Sequence, residues 1–212
     1  MSTTVTYLFD PLCGWCYGAS PAVQHLGKLN DLRLELAPTG LFSGRGARAM
    51  DANFAAFAWS NDQRIEKLTG QGFTEAYRRQ VLNKPGARFD STAATLDLTA
   101  VALTAPEHEL AMLKVLQEAR YVHALDTSAL PDAEQLLRDA GLSAAADRLV
   151  AGDAALLAAN LERMRKAQGL MQTFGAQGVP ALVVTDDRGS RLLRGDVLYG
   201  SIDGLLDRIA HA

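Results

Sequence analysis

The sequence predicts an α/β fold whose two halves are separated by a long all-helical insertion. Three observations predict it. The first forty residues read strand, helix, strand. From residue 46 to about 174 the chain is rich in Ala, Leu, Glu, Arg and Gln, all good helix formers. Strand signals return only at residue 179, as a pair followed by a closing helix.

The elements follow in order. Val5-Thr6-Tyr7-Leu8-Phe9 is an apolar, β-rich run, so the first strand is placed over 3–9. A helix is expected over 13–29, with Val23, Leu26 and Leu29 at helical spacing and Pro21 kinking or breaking it. Leu32-Arg33-Leu34-Glu35-Leu36 alternates apolar with polar, which predicts a half-buried strand ended by Pro38-Thr39-Gly40. This β-α-β unit implies a parallel pair with a right-handed crossover. In the insertion, helices are expected over 48–59, 61–68 and 74–82, before a break at Asn83-Lys84-Pro85-Gly86. An antiparallel pair follows over 91–104 and 107–123. Pro131 opens a helix over 132–140 that Gly141 stops, and further helices occupy 143–150 and 153–174. Val179 to Thr185 and Arg191 to Arg194, joined by Asp186-Asp187-Arg188-Gly189, read as a β-hairpin. Ser201 is a plausible N-cap for a last helix over 201–209. Residues 1–45 and 175–212 thus form one discontinuous α/β domain, and 46–174 an inserted helical domain whose helix 153–174 is free to pack with the first.

Composition excludes several classes. The 212 residues are 48% hydrophobic and 21% charged, as expected of a packed soluble core. A net charge of −3 gives no reason to expect nucleic acid or an anionic membrane as partner. No apolar run approaches the roughly 18 residues of a membrane span. Met1-Ser2-Thr3-Thr4 leads into the first strand without the basic and apolar stretches of a secretory signal, so a cytoplasmic protein is expected.

The only two cysteines lie three apart, in Asp10-Pro11-Leu12-Cys13-Gly14-Trp15-Cys16, where the first strand gives way to helix. Thiols at that spacing can close a small reversible disulfide. The helix amino terminus favours a thiolate through its free N–H groups and partial positive charge. Dithiol–disulfide exchange is the chemistry this arrangement suits, with Cys13 as nucleophile and Cys16, one turn further in, as the resolving thiol. A pair of inert buried thiols is the plain alternative. Structural zinc is disfavoured, because His25, His108, His123 and His211 form no closely spaced pair to complete four ligands. Asp10 reads better as a turn residue than as a proton acceptor for Cys16. Gly44-Arg45-Gly46-Ala47-Arg48 reads better as a linker than as a carboxylate-binding loop at a helix start. Phe54, Phe57, Trp59, Phe73 and Tyr77 read better as core than as a groove facing Cys13.

Three features carry a family resemblance: Cys13-Gly14-Trp15-Cys16 after the first strand, Gly178-Val179-Pro180 before the third, and the helical insertion between them. Together they resemble the DsbA-like thiol–disulfide oxidoreductases of the thioredoxin fold. The Asp-Pro-x-Cys-x-Trp-Cys segment is similar to the cytosolic group described as protein-disulfide isomerases. The resemblance implies a thioredoxin-like fold with a large inserted all-helical domain. It implies catalysis by Cys13 and Cys16, a substrate bordered by Gly14, Trp15, Val179 and Pro180, and a cis peptide at Val179-Pro180 that turns the Val179 backbone towards an extended chain. It implies no metal and no bound cofactor. The expected partner is a disulfide-containing peptide or protein, or a small thiol such as glutathione acting as co-substrate. Trp15 stands where periplasmic members carry histidine, and Tyr7 where they carry an acidic residue. Their strongly oxidising character therefore does not transfer. A glutathione-dependent transferase or 2-hydroxychromene-2-carboxylate isomerase shares the architecture but typically has serine at the first position, so the cysteine pair favours redox. An interaction module with an idle cysteine pair is the non-enzymatic alternative.

Overall fold

In the computed structural model, which describes residues 3–211, the sheet is built from both ends of the chain. β1 (Thr3–Phe9) pairs in parallel with β2 (Leu32–Pro38). On its other side β1 pairs antiparallel with β5 (Ala181–Asp186), which forms a hairpin with β6 (Gly189–Arg194). The order is therefore β2-β1-β5-β6. β1 is central and covered on both faces, so Val5, Leu8 and Phe9 are fully buried and its sequence reads as a near-continuous apolar run. This is a thioredoxin-like sheet with a large helical insertion between β2 and β5.

Two layers cover the sheet. On one face Leu8, Ala181 and Val183 pack against Ala167, Leu170, Met171 and Phe174 of α9 (Ala154–Phe174). On the other, Val5, Tyr7, Phe9, Leu182 and Val184 share a core with Val23 and Leu26 of α2 (Ser20–Leu26) and Leu205 and Ile209 of α10 (Ile202–His211). Ser201 accepts from the Gly204 N–H at 3.2 Å, the N-cap contact expected for α10.

Several elements differ from the sequence reading. The single helix over 13–29 is two, α1 (Gly14–Gly18) and α2, parted at Ala19, with Pro21 in the first turn of α2, where its missing N–H costs nothing. The helices over 48–59 and 61–68 are one, α3 (Ala52–Thr69), capped by Asp51 accepting from Phe54 N at 2.8 Å and ended by Gly70 at φ +76°. Asn61 does not interrupt α3; its side chain donates back to the Phe57 carbonyl one turn earlier at 3.0 Å. Arg48–Ala49 (β3) leaves the helical reading to pair with Arg88–Phe89 (β4), a contact between segments forty residues apart that local periodicity cannot reveal. α4 (Glu75–Tyr77) runs on into a wide π turn over Arg78–Leu82. The rest of the insertion is α5 (Thr92–Thr104), α6 (Glu109–Tyr121), α7 (Leu130–Asp139) and α8 (Ser143–Ala151).

Candidate active site

The loop after β1 is fixed before the cysteines are reached. Asp10 is fully buried. Its Oδ1 accepts from Leu12 N at 2.9 Å, and its Oδ2 accepts from Phe42 N at 3.0 Å and Ser91 Oγ at 2.8 Å. Burial pushes its pKa up, and these donors pull back against it. Asp10 is thus a turn residue, as expected, and it also ties the loop to the insertion. Tyr121 of α6 adds a second tie, its hydroxyl donating to the Leu12 carbonyl at 2.7 Å.

Cys13 occupies the cap position of α1, with extended backbone at φ −82°, ψ 116°. Cys16 lies one turn in. Both are free thiols, and both are buried, Cys13 at 7% exposure and Cys16 at 1%. The order of exposure follows the sequence reading, but Cys13 is more covered than a surface helix start would leave it. The cover comes from elements distant in sequence. The Cys13 thiol donates to the Val179 carbonyl at 3.7 Å, beside a Val179–Pro180 peptide that is cis. Burial raises the Cys16 pKa well above the ordinary thiol value, and the neighbouring Cys13 adds to this.

A cavity of about 230 Å³ opens beside Cys13, Gly14 and Trp15. Its walls bring Phe54, Phe57, Asp62 and Ile65 from α3, Tyr77 from α4 and Tyr121 from α6. Phe57 stands at the mouth, 64% exposed. Phe54 and Phe57 therefore line a groove at Cys13, against the core reading, while Phe73 is core and Trp59 lies under the Arg78 guanidinium at 5.2 Å. Trp15 both packs and lines. Its ring is tilted against Tyr199, centroids 5.4 Å apart, and the Tyr199 hydroxyl donates to its carbonyl at 3.1 Å. A larger cavity of about 420 Å³ runs past Gly178, Pro180, Arg194 and Asp196 and does not reach either cysteine. The 44–48 loop lines neither. It is a 3-10 turn over Gly44–Gly46 beside Thr39 and Gln168, not the start of a helix, and it serves as the path into the insertion.

The cavity has a polar element that the sequence did not reveal. Asp62 is 5% exposed in an aromatic wall. The Tyr77 hydroxyl donates to its Oδ2 at 3.2 Å. Arg120, 1% exposed, stands behind that wall with its guanidinium carbon 5.7 Å from the Tyr77 ring and 5.5 Å from the Phe89 ring. Among the described residues no guanidinium nitrogen of Arg120 has a hydrogen-bond partner, and Asp126 is 3.7 Å from one of them. Burial lifts the Asp62 pKa from 3.8 to about 7, although the Tyr77 hydrogen bond and the Arg120 charge pull it down. The other oxygen faces the cysteine turn: a Cβ on Gly14 would lie 2.7 Å from Asp62 Oδ1 and 3.2 Å from Ile65 Cδ1. The one signal in the sequence is spacing. Positions 54, 57, 58, 61, 62 and 65 share a face of α3, and that face mixes aromatics with a carboxylate.

Among the described residues no group of three or more His, Cys, Asp or Glu could hold a metal ion. No helix of the described residues is long and apolar enough to cross a membrane.

A buried cysteine pair spaced as CxxC, at the head of a helix beside a cis-proline loop, defines a thiol–disulfide oxidoreductase of the thioredoxin fold. The chain belongs to the DSBA-like thioredoxin domain family, whose family model matches residues 4–203. A search of curated proteins finds no match. Among solved structures, the cytosolic disulfide reductase DsbM from Pseudomonas aeruginosa is similar, at 28% identity and a TM-score of 0.85 over 99% of this chain and all of that one. Its structure with GSH gives 28% identity and a TM-score of 0.83 over the same shares. A candidate protein disulfide isomerase from Nitrosomonas europaea, at 22% identity and a TM-score of 0.78 over the whole of both chains, shares the fold.

Proposed function

We propose that the protein is a cytoplasmic disulfide reductase that takes its electrons from a small thiol, with glutathione as co-substrate. The observation that carries this reading is the unequal placing of the two thiols. Cys13 borders the cavity, and Cys16 sits one turn behind it with a raised pKa. The full-length similarity to a cytosolic disulfide reductase, whose structure has also been solved with GSH, supports both the compartment and the co-substrate.

The Cys13 thiolate attacks one sulfur of a substrate disulfide. A new S–S bond forms, the old one breaks, and the second substrate sulfur leaves with the electron pair. Cys16 then loses its proton and attacks Cys13, releasing the first substrate sulfur and leaving a Cys13–Cys16 disulfide. Two glutathione thiols reduce that disulfide and become glutathione disulfide. Gly14 and Trp15 border the incoming chain on one side, and Val179 and Pro180 on the other, where the Val179 carbonyl offers β-like pairing. Residues 1–45 and 175–212 carry the dithiol, and the helical insertion, 46–174, supplies the outer wall of the substrate cavity.

Equilibration in glutathione redox buffers, followed by thiol counting and Trp15 fluorescence, tests this. A single two-electron transition is expected, with a midpoint nearer the roughly −270 mV of a thioredoxin-like reductant than the roughly −120 mV of a strong oxidant. Cys13→Ser abolishes exchange, and Cys16→Ala accumulates a glutathione mixed disulfide on Cys13. Retained exchange in Cys13→Ser, or no protein disulfide at any poise, refutes the assignment.

A further inference from the structure

The Asp62 carboxyl accepts one buried hydrogen bond, from the Tyr77 hydroxyl at its Oδ2. It is buried in an aromatic wall, among the described residues it forms no ion pair, and holding a carboxyl there costs desolvation. Its surroundings are nevertheless specific. The Tyr77 hydroxyl donates to Oδ2, so when the carboxyl is neutral its proton belongs on Oδ1, the oxygen that faces Gly14. Asp62 and Cys13 border one cavity.

We propose that Asp62 is the proton-transfer residue of exchange at Cys13: its Oδ1 proton goes to the substrate sulfur that leaves when Cys13 attacks, and returns to the carboxylate in the reverse direction. This rests on Cys13 being the attacking thiol. The step balances. The Cys13 electron pair makes the new S–S bond, the old S–S pair passes to the leaving sulfur, and the Asp62 proton converts that thiolate to a thiol. Asp62 is left as a carboxylate, and water at the open mouth of the cavity restores its proton. An alkyl thiolate is a poor leaving group, so an acid at this point lowers the barrier.

The groups that face Asp62 set its readiness. Cys13 borders the same cavity from the head of α1, Tyr77 from α4 and Tyr121 from α6, Arg120 of α6 acts on the carboxyl through its charge, and Arg78 of the π turn is held off over Trp59. Burial favours the neutral acid, and Tyr77 and Arg120 oppose it. The balance leaves the carboxyl able to both give and take a proton near neutral pH, which suits a general acid. Tyr77 and Arg120 are positioning residues.

The test is the rate at which the reduced full-length protein reduces a series of glutathione mixed disulfides, with leaving thiols from alkyl to nitrophenyl. An acidic leaving thiol needs no proton, so the series separates proton transfer from binding or folding. Asp62→Asn should slow the alkyl members by about 10²-fold and leave the nitrophenyl member within about twofold. The wild-type advantage on alkyl substrates should fade as pH rises through about 7. Tyr77→Phe should move that fade to higher pH, because loss of the donor destabilises the carboxylate. Equal slowing across the series, or none, overturns the inference. The pH dependence of the wild-type alkyl-to-nitrophenyl ratio needs no variant, and a flat ratio also overturns it. A wild-type protein that reduces no member overturns the oxidoreductase reading itself.

Discussion

Alanine at Gly14 sets two effects of opposite sign against each other. Gly14 opens α1 with no positive φ, so replacing it should restrict the unfolded chain and stabilise the protein by about 0.4–1 kcal/mol. The added Cβ, however, meets Asp62 Oδ1 at 2.7 Å and Ile65 Cδ1 at 3.2 Å. Neither atom can easily give. Ile65 is fully buried, and Asp62 is held by Tyr77. Overpacking of this kind costs about 1–3 kcal/mol. Packing therefore wins, and Gly14→Ala is expected to destabilise the reduced protein by about 0.5–2 kcal/mol. At about 2–4 °C per kcal/mol for a chain of this length, the melting temperature falls by about 1–8 °C. Differential scanning calorimetry under reducing conditions measures it. The same substitution in an Asp62→Ala background should cost less, because the nearer clash is gone and the two changes are not additive. An unchanged or raised melting temperature for Gly14→Ala would refute the described packing of α1 on α3.

Other expectations follow from the same contacts. Tyr121→Phe removes the donor to the Leu12 carbonyl and leaves that carbonyl buried without a partner, so a loss of about 1–3 kcal/mol is expected in urea unfolding. Ile65→Ala, at the junction of α3 with the cysteine turn, should cost about 2–5 kcal/mol by the same measurement. Asp97 of α5 is buried, with neither carboxyl oxygen hydrogen-bonded among the described residues, and burial pushes its pKa well up. The folded state then holds a proton that the unfolded state releases near pH 4, so its contribution is present at low pH and lost as pH rises. Asp97→Asn should flatten the decline in stability as pH rises above about 4, and an undiminished decline would assign it to other groups.

The sequence by itself determined what is local. The cysteine pair, its place at a strand end, the β-α-β opening, the closing hairpin and most helices were legible, because each is written in neighbouring residues or in a period of two or 3.6. Cys13, Cys16, Gly14 and Trp15 were readable as a site for the same reason. Pro180 was readable only through resemblance, since one X–Pro pair carries no conformational signal of its own. The tertiary structure decided what distance along the chain conceals. It set the strand order, the fusion of two expected helices into α3 and the β3–β4 pairing of residues 48–49 with 88–89. It also turned Phe54 and Phe57 from expected core into groove, and brought Asp62, Tyr77 and Tyr121 to within one cavity of Cys13. The physical reason is burial. A carboxyl in solvent-like sequence context reads as a solvated helix face, and only the packing of α3 over the cysteine turn removes its water and leaves it facing the dithiol.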